Sequence, residues 1–155
     1  MNQMLREAAE ALRRKEATLL VLGGAEPYWS YARGIAPIID RMEEQPDFFR
    51  NTYVADKVTG RAAALLLVKA GIRGLHTRLI SDLAVDILEH AGIELVYEQK
   101  VPKILNRAGN GFCPMETAVE NICDPEEAYQ LLLKKRRQMR EHAAATTGEK
   151  SKRRF

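Results

Sequence analysis

Short apolar segments alternate with longer amphipathic segments in the middle of the chain, between Tyr53 and Tyr97. The short segments have the length of strands, and the longer ones have the length of helices and end near Gly71 and Gly92. A strand, a helix and a second strand in this order form a right-handed crossover between parallel strands. The alternation therefore predicts an α/β fold with a partly parallel sheet.

The segments around this region complete the predicted fold. An apolar stripe predicts an amphipathic N-terminal helix, and two apolar segments around a Gly-Pro turn predict a hairpin that makes the sheet mixed. Helices on both faces of the sheet then give a three-layer α/β/α sandwich. The predicted strands are 18–22, 28–32, 53–54, 74–80, 93–97 and 101–105, and the predicted helices are 2–15, 34–44, 57–69, 82–90, one from Cys113 and one from Asp124 into Arg137.

Charge divides the chain into two parts. Residues 134–155 hold nine basic and two acidic side chains, whereas residues 1–133 hold 15 basic and 19 acidic ones, so the net charges are +7 and −4. We predict a single domain at 1–133 and a basic helix extension with a disordered tail at 134–155. An acidic domain is not expected to bind nucleic acid, except weakly through this tail, and a solvated tail is the commoner explanation.

Two cysteines, Cys113 and Cys123, are too few for a disulfide framework, and we expect both to be free thiols. No apolar run approaches the length of a membrane span, and the N-terminus has no apolar core of a signal peptide. The sequence therefore predicts a cytoplasmic protein with no membrane partner. It leaves a homo-oligomer open.

Polar residues mark two predicted helix starts that follow successive strands. Asp56 and Lys57 open one helix and Ser81 and Asp82 open the next, so the four side chains converge if their strands are neighbours. Gly60, one turn into the first helix, would let a ligand or a strand approach closely. The simpler interpretation is that Asp56 is an ordinary N-cap, Lys57 is solvated and Gly60 only packs tightly.

Cys113, Pro114 and Glu116 form a third helix start, a thiol variant of the capping box. A helix N-terminus lowers the pKa of a thiol, which makes Cys113 a candidate nucleophile. The three histidines of the chain offer no obvious base for it, and a plain cysteine at a helix start is the alternative.

Several chemistries lack their motifs. Zinc catalysis of the deaminase type needs H-x-E with P-C-x-x-C, and the chain contains neither string. A phosphate-binding G-x-x-x-x-G-K loop and a G-x-S-x-G nucleophile elbow are also missing. No metal site and no cofactor are predicted.

Several strings together resemble the uncharacterised bacterial and archaeal family called domain of unknown function 1893. They are V-A-D-K-V-T-G-R-A-A-A from Val54, Ile80 with Ser81, Val101 with Pro102, Asn106 with Arg107, and C-P-M-E from Cys113. The resemblance covers roughly residues 18–133. It implies membership of the cytidine-deaminase-like superfamily, with a five-stranded mixed sheet in a deaminase-like domain.

In true deaminases of that superfamily the zinc ligands and the catalytic Glu open two helices, to which the starts at Asp56 and Ser81 correspond. Neither zinc motif matches here, so the resemblance implies the position of a crevice and not zinc-dependent deamination. We expect a small anionic or nucleotide-like ligand there, and the alternative is a non-catalytic interaction or regulatory module. The candidate catalytic residues are Cys113, Glu116 and Asp56, and the candidate ligand-binding residues are Lys57, Gly60, Ser81, Asn106 and Arg107.

Overall fold

The computed structural model describes residues 1–105 and 113–153, with side chains described as far as residue 144. This part of the chain forms six helices and five strands. In chain order they are α1 (Gln3–Lys15), β1 (Leu19–Leu22), β2 (Tyr28–Ser30), α2 (Ala36–Glu44), β3 (Tyr53–Thr59), α3 (Arg61–Ala70), β4 (Gly74–Ser81), α4 (Asp82–His90), β5 (Glu94–Val101), α5 (Pro114–Ala118) and α6 (Pro125–Arg153).

The five strands form one mixed sheet in the order β2-β1-β3-β4-β5. The hairpin strand β1 pairs antiparallel with β2 and with β3, and β3, β4 and β5 are parallel. Since β1 runs opposite to β3, the first residues of β1 lie beside the carboxyl end of β3. The predicted mixed sheet with its N-terminal hairpin is confirmed.

Helices cover both faces of the sheet, as predicted. On one face, Ala8 and Leu12 of α1 pack against Leu20 and Ala55 in a small apolar cluster. On the other face, α2 to α6 share a larger core with the remaining inward side chains of the sheet. Helix α3 lies at the centre of this core, because seven of its ten residues are buried.

The prediction that Asp56 caps a helix is wrong. Strand β3 runs to Thr59, so Asp56 and Lys57 lie inside a strand, and Gly60 is the N-cap of α3. The strand continues because it is paired on both sides: Asp56 lies opposite Leu19 of β1 and opposite Thr77 of β4. Tertiary pairing of this kind overrides the local preference of an Asp for a cap.

The predicted break between residues 97 and 101 is also wrong. A single strand, β5, pairs with β4 from Glu94 to Val101. Glu98, Gln99 and Lys100, between the two predicted strands, are polar, and β5 is an edge strand whose side chains are largely exposed. An edge strand tolerates such residues because charges there discourage pairing with another chain.

Ser81 caps α4 as predicted, since its hydroxyl accepts a hydrogen bond from the N–H of Ala84 at 3.3 Å. We expect Ser81→Ala to lower the free energy of unfolding by about 1 kcal/mol because that buried N–H loses its partner. Urea unfolding measures the difference. Asp86→Ala, at an exposed position on the same helix, is the control, and equal stability of the two variants would contradict the cap.

Helix α6 continues through the basic segment to Arg153, and the predicted division of the chain at residue 133 stays a prediction. The start of this segment is not simply solvated. Arg136 and Arg140 both form ion pairs with Asp40 of α2, and Arg137 pairs with Glu43. No helix that the structure describes is long and apolar enough to cross a membrane.

Candidate functional site

A cavity of about 880 Å³ opens beside the carboxyl end of β3 and the first residues of β1. Its wall comes from these two strands, the first turns of α2 and α3, helix α5 and the middle of α6. The described residues with charged or thiol side chains in the wall are Arg33, Asp56, Lys57, Cys113, Glu116 and Arg136. Most of the other lining residues are apolar, including Ile35, Ile38, Ile104, Met115 and Met139.

Asp56 is the buried carboxyl group of this wall, with 7% of its surface exposed. Burial raises its pKa from 3.8 to about 7, because the charged form loses hydration. Hydrogen bonds from Thr59 and from the backbone N–H groups of Lys57 and Val58 oppose this rise only in part. At neutral pH the carboxyl group therefore exchanges between its protonated and ionised forms.

Two buried hydroxyl groups connect Asp56 to the interior of the sheet. Thr59 Oγ1 lies 2.9 Å from Asp56 Oδ2 and 2.9 Å from Thr77 Oγ1, which in turn donates to the carbonyl of Leu79 at 3.1 Å. A hydroxyl carries one proton, so Thr59 donates to Asp56 when the carboxyl is ionised. When Asp56 is protonated it can donate to Thr59, which then donates to Thr77. Both protonation states are thus hydrogen-bonded.

Lys57 and Arg33 are cationic residues of the same cavity wall. Both side chains are exposed, and the ion pairs found among the described residues involve other cations. The third cation of the wall, Arg136, is held by Asp40. The cavity wall therefore contains one carboxyl group, Asp56, that is either neutral or ionised near pH 7, together with cationic side chains whose N–H groups can donate hydrogen bonds to a ligand.

Glu116 closes the N-terminus of α3. Its carboxylate accepts a hydrogen bond from the N–H of Ala62 at 3.0 Å, and its Oε1 lies only 1.3 Å from where a Cβ on Gly60 would stand. Burial raises the pKa of Glu116, while the N–H groups of Ala62 and Arg61 oppose the rise. The predicted thiol capping box at Cys113 is therefore wrong, because Glu116 caps α3 instead of its own helix and Cys113 makes no side-chain cap bond.

Cys113 begins α5 as predicted and lines the cavity with a half-buried thiol. None of the described lining residues is a histidine, so no imidazole of the described wall can act as a general base for this thiol. His76, on β4, is 95% buried, and its Nδ1 has no partner in the part of the chain that the structure describes. The second cysteine, Cys123, is exposed and its Sγ lies 3.6 Å from Arg61 Nη2.

Ser81 belongs to a smaller neighbouring pocket of about 270 Å³. This pocket shares Glu116 and Ile104 with the larger cavity, so Glu116 stands in the wall between the two. The structure thus brings Asp56, Lys57, Gly60, Cys113 and Glu116 to one cavity and places Ser81 beside it. Asn106 and Arg107 lie outside the described residues.

Sequence reasoning missed four residues of this region: Arg33, Thr59, Thr77 and Arg136. Thr59 sits inside the D-K-V-T-G string, where its spacing of three residues from Asp56 was available as a signal. Thr77 could have been found only from the register that places it opposite Asp56. Arg33 and Arg136 come from distant segments, and no local pattern joins them to the site.

Among the described residues, no three His, Cys, Asp or Glu side chains are grouped so that they could hold a metal ion.

The mixed five-stranded sheet with helices on both faces makes this an α/β protein. Its candidate functional site is the cavity at the carboxyl end of β3, whose wall contains Asp56 and Glu116. The family model described as domain of unknown function DUF1893 matches residues 7–135. The chain belongs to this family, so the family resemblance predicted from the sequence is confirmed.

A solved structure from the same family supports the assignment. The crystal structure of a DUF1893 family protein from Thermotoga maritima superposes on the chain with a TM-score of 0.78 at 28% sequence identity. The match covers 87% of this chain and 91% of the other. No curated protein matches the chain.

Proposed function

We propose that the chain binds a small anionic or nucleotide-like molecule in the 880 Å³ cavity, within a cytidine-deaminase-like fold that lacks the zinc site. The main support for this proposal is the position of Asp56 in the cavity wall, where burial of its carboxyl group raises its pKa to about 7. Strongly shifted pKa values of this kind cluster at functional sites. A cytoplasmic location stays a prediction.

The energetic cost of Asp56 supports a functional role. Keeping a carboxyl group buried weakens the folded state at neutral pH, and an apolar residue at this position would avoid that loss. Proteins retain such costs mainly where activity needs them. A carboxyl group with a pKa near 7 can either donate a hydrogen bond to a ligand or accept a proton from it.

The cations of the cavity favour an anionic ligand. Lys57 and Arg33 are exposed at the wall and are not among the paired cations of the described chain. The N-terminus of α3 is occupied by the Glu116 carboxylate, so the ligand anion is expected at these side chains instead of at the helix end.

The remaining candidate residues have defined places in the proposal. Asp56 and Glu116 supply hydrogen bonds or proton transfer, Cys113 supplies a thiol in the cavity wall, and Gly60 leaves the space that Glu116 fills. Ser81 would act from the neighbouring pocket. Ligand-binding roles for Asn106 and Arg107 stay predictions.

Lys57→Ala tests the proposal. We expect at least one compound in a panel of pyrophosphate and ribonucleoside mono-, di- and triphosphates to raise the melting temperature of the wild type, and the shift to fall by more than half in the variant. The physical reason is the loss of one charge-assisted hydrogen bond, worth about 1.5–3 kcal/mol. Differential scanning fluorimetry measures the shift.

The matched control is Lys100→Ala, which removes an exposed lysine of β5 that does not line the cavity. It should keep the full wild-type response. A panel in which no compound stabilises the wild type, or in which both lysine variants respond alike, would count against the proposal.

The second candidate function is a non-catalytic interaction or regulatory module. The observation that favours it is that Glu116 and Ser81 each cap a helix, which is a structural use of two proposed site residues. This alternative predicts no response of the wild type to the panel, together with unchanged cellular function of a Lys57→Ala strain. A selective response that Lys57→Ala removes would exclude it.

A further inference from the structure

The basic extension of α6 forms part of the cavity wall. Arg136 and Met139 both line the cavity, one turn apart on α6. This segment is held against α2 by acidic side chains, because Asp40 accepts from Arg136 and Arg140, and Glu43 accepts from Arg137. The arginines at the start of the extension are therefore paired with α2, and one of them, Arg136, also lines the cavity.

The contact between Arg136 and Asp40 leaves one edge of the guanidinium group available. Arg136 Nε donates to Asp40 Oδ1 at 3.2 Å and Nη2 donates to Asp40 Oδ2 at 3.0 Å, a side-on pairing of two parallel hydrogen bonds. A guanidinium group has five N–H donors, so the N–H groups of Nη1 are not used by this pairing. A carboxylate on one edge fixes the orientation of the other edge and reduces the entropy lost on binding a ligand.

Charge and apolar surface in the cavity define a class of ligand. Arg136 joins Lys57 and Arg33 as a third cation of the wall, while Ile35, Ile104 and Met139 supply apolar surface. Arginine recognises phosphate through two parallel hydrogen bonds, which a lysine cannot make. The combination fits an organic phosphate whose phosphoryl group lies at the cations and whose body lies on the apolar wall.

We propose that Arg136 is a phosphate-recognition residue of the cavity and that Asp40 is the residue that positions it. The inference rests on the proposed function and deepens it, since it names the ligand class and assigns the start of the basic extension to the site. It also gives the start of the basic extension a role other than nucleic-acid binding, because Arg136, Arg137 and Arg140 form ion pairs with acidic residues of α2.

The first test compares pyrophosphate binding of the wild type, Arg136→Gln and Arg140→Gln by isothermal titration calorimetry. Arg140 pairs with the same Asp40 but does not line the cavity, so its variant controls for loss of an ion pair. We expect Arg136→Gln to weaken binding about tenfold or more and Arg140→Gln to change it less than about twofold. Thermal melting of both variants checks that each is folded.

A double-mutant cycle tests the positioning role of Asp40. Asp40→Asn should weaken pyrophosphate binding in the wild type and cause no further loss in the Arg136→Gln background, because Asp40 acts only through Arg136. Arg136→Lys keeps the charge without the planar group and should recover only part of the affinity. A purely structural Asp40 would instead weaken binding equally in both backgrounds, which would overturn its positioning role.

The outcomes distinguish this inference from the proposed function. Equal affinities of Arg136→Gln and Arg140→Gln for pyrophosphate would overturn the role of Arg136, and a response of the wild type to the nucleotide panel that Lys57→Ala reduces would leave the proposed function in place. Absence of pyrophosphate binding to the wild type would overturn the inference as well. Absence of any response to the whole panel would remove the proposed function itself.

Discussion

The free energy of unfolding is expected to fall by about 2–3 kcal/mol less in Asp56→Asn than in the wild type when the pH rises from 5 to 8. The pKa of Asp56 is about 7 in the folded protein and 3.8 in its ordinary state, so between these values the folded state holds a proton that the unfolded state has lost. Stability therefore falls as pH rises through this window and becomes constant above it. Asn resembles the protonated carboxyl group and has no charge to bury.

The measurement is the free energy of unfolding in urea at pH 5, 6, 7 and 8, for the wild type and the variant. Other titrating groups, including Glu116, contribute alike to both proteins, so the difference between the two curves isolates Asp56. Asp86→Asn, at an exposed site, is the control and should follow the wild type. Parallel curves for Asp56→Asn and the wild type would show that Asp56 does not hold its proton in the folded state.

The result would also bear on function. Thr59 can hydrogen-bond with Asp56 in either protonation state, and Thr77 is the second hydroxyl partner of Thr59, so the fold accommodates both states. A variant that is more stable at pH 8 but no longer responds to the nucleotide panel would place Asp56 among residues retained for activity at a cost in stability.

Gly60→Ala is the second change with a large expected effect, a loss of about 1–3 kcal/mol in the free energy of unfolding. The extended backbone of Gly60, with φ −97° and ψ −172°, suits any residue, so the loss has a steric cause. A Cβ there would stand 1.3 Å from Glu116 Oε1 and 3.1 Å from Ile104 Cγ1. Glu116 must then leave the N–H of Ala62, and α3 loses its cap.

Thermal and urea unfolding of single and double variants separate this cause from others. Gly24→Ala is the control, because a Cβ there meets only Thr52 Cγ2 at an ordinary distance of 3.9 Å. If the clash with Glu116 dominates, Gly60→Ala should cost much less in a Glu116→Ala background than in the wild type. Fully additive losses would mean that Gly60 and Glu116 act independently, against the contact described above.

The same contact joins two sequence strings that are predicted from the sequence as separate helix starts. The D-K-V-T-G string contributes Gly60 and the N-terminus of α3, and the C-P-M-E string contributes the carboxylate that closes it. Their association is therefore at least partly structural. Asp56 differs from Glu116 in this respect, since its burial weakens the fold at neutral pH instead of stabilising a helix.

Much of the fold was predictable because it depends on local patterns. The apolar stripe of α1, the Gly-Pro turn of the hairpin, the cap at Ser81 and the left-handed glycine at position 71 each act within one or two turns of chain. The place of Asp56 was not predictable in this way. An Asp before a run of alanines and leucines favours a helix cap locally, whereas pairing with β1 and β4 makes it a strand residue.

The sequence by itself determined the α/β class, the mixed sheet, the family and four of the six described charged or thiol residues of the cavity wall. Only the tertiary structure decided that Glu116 caps α3, that Thr59 connects Asp56 to Thr77 by hydrogen bonds, and that Arg136 belongs to the cavity wall. The physical reason is range. Periodicity and caps are set by neighbours in the chain, whereas burial, pKa and ion pairing depend on groups as far apart as Asp40 and Arg136.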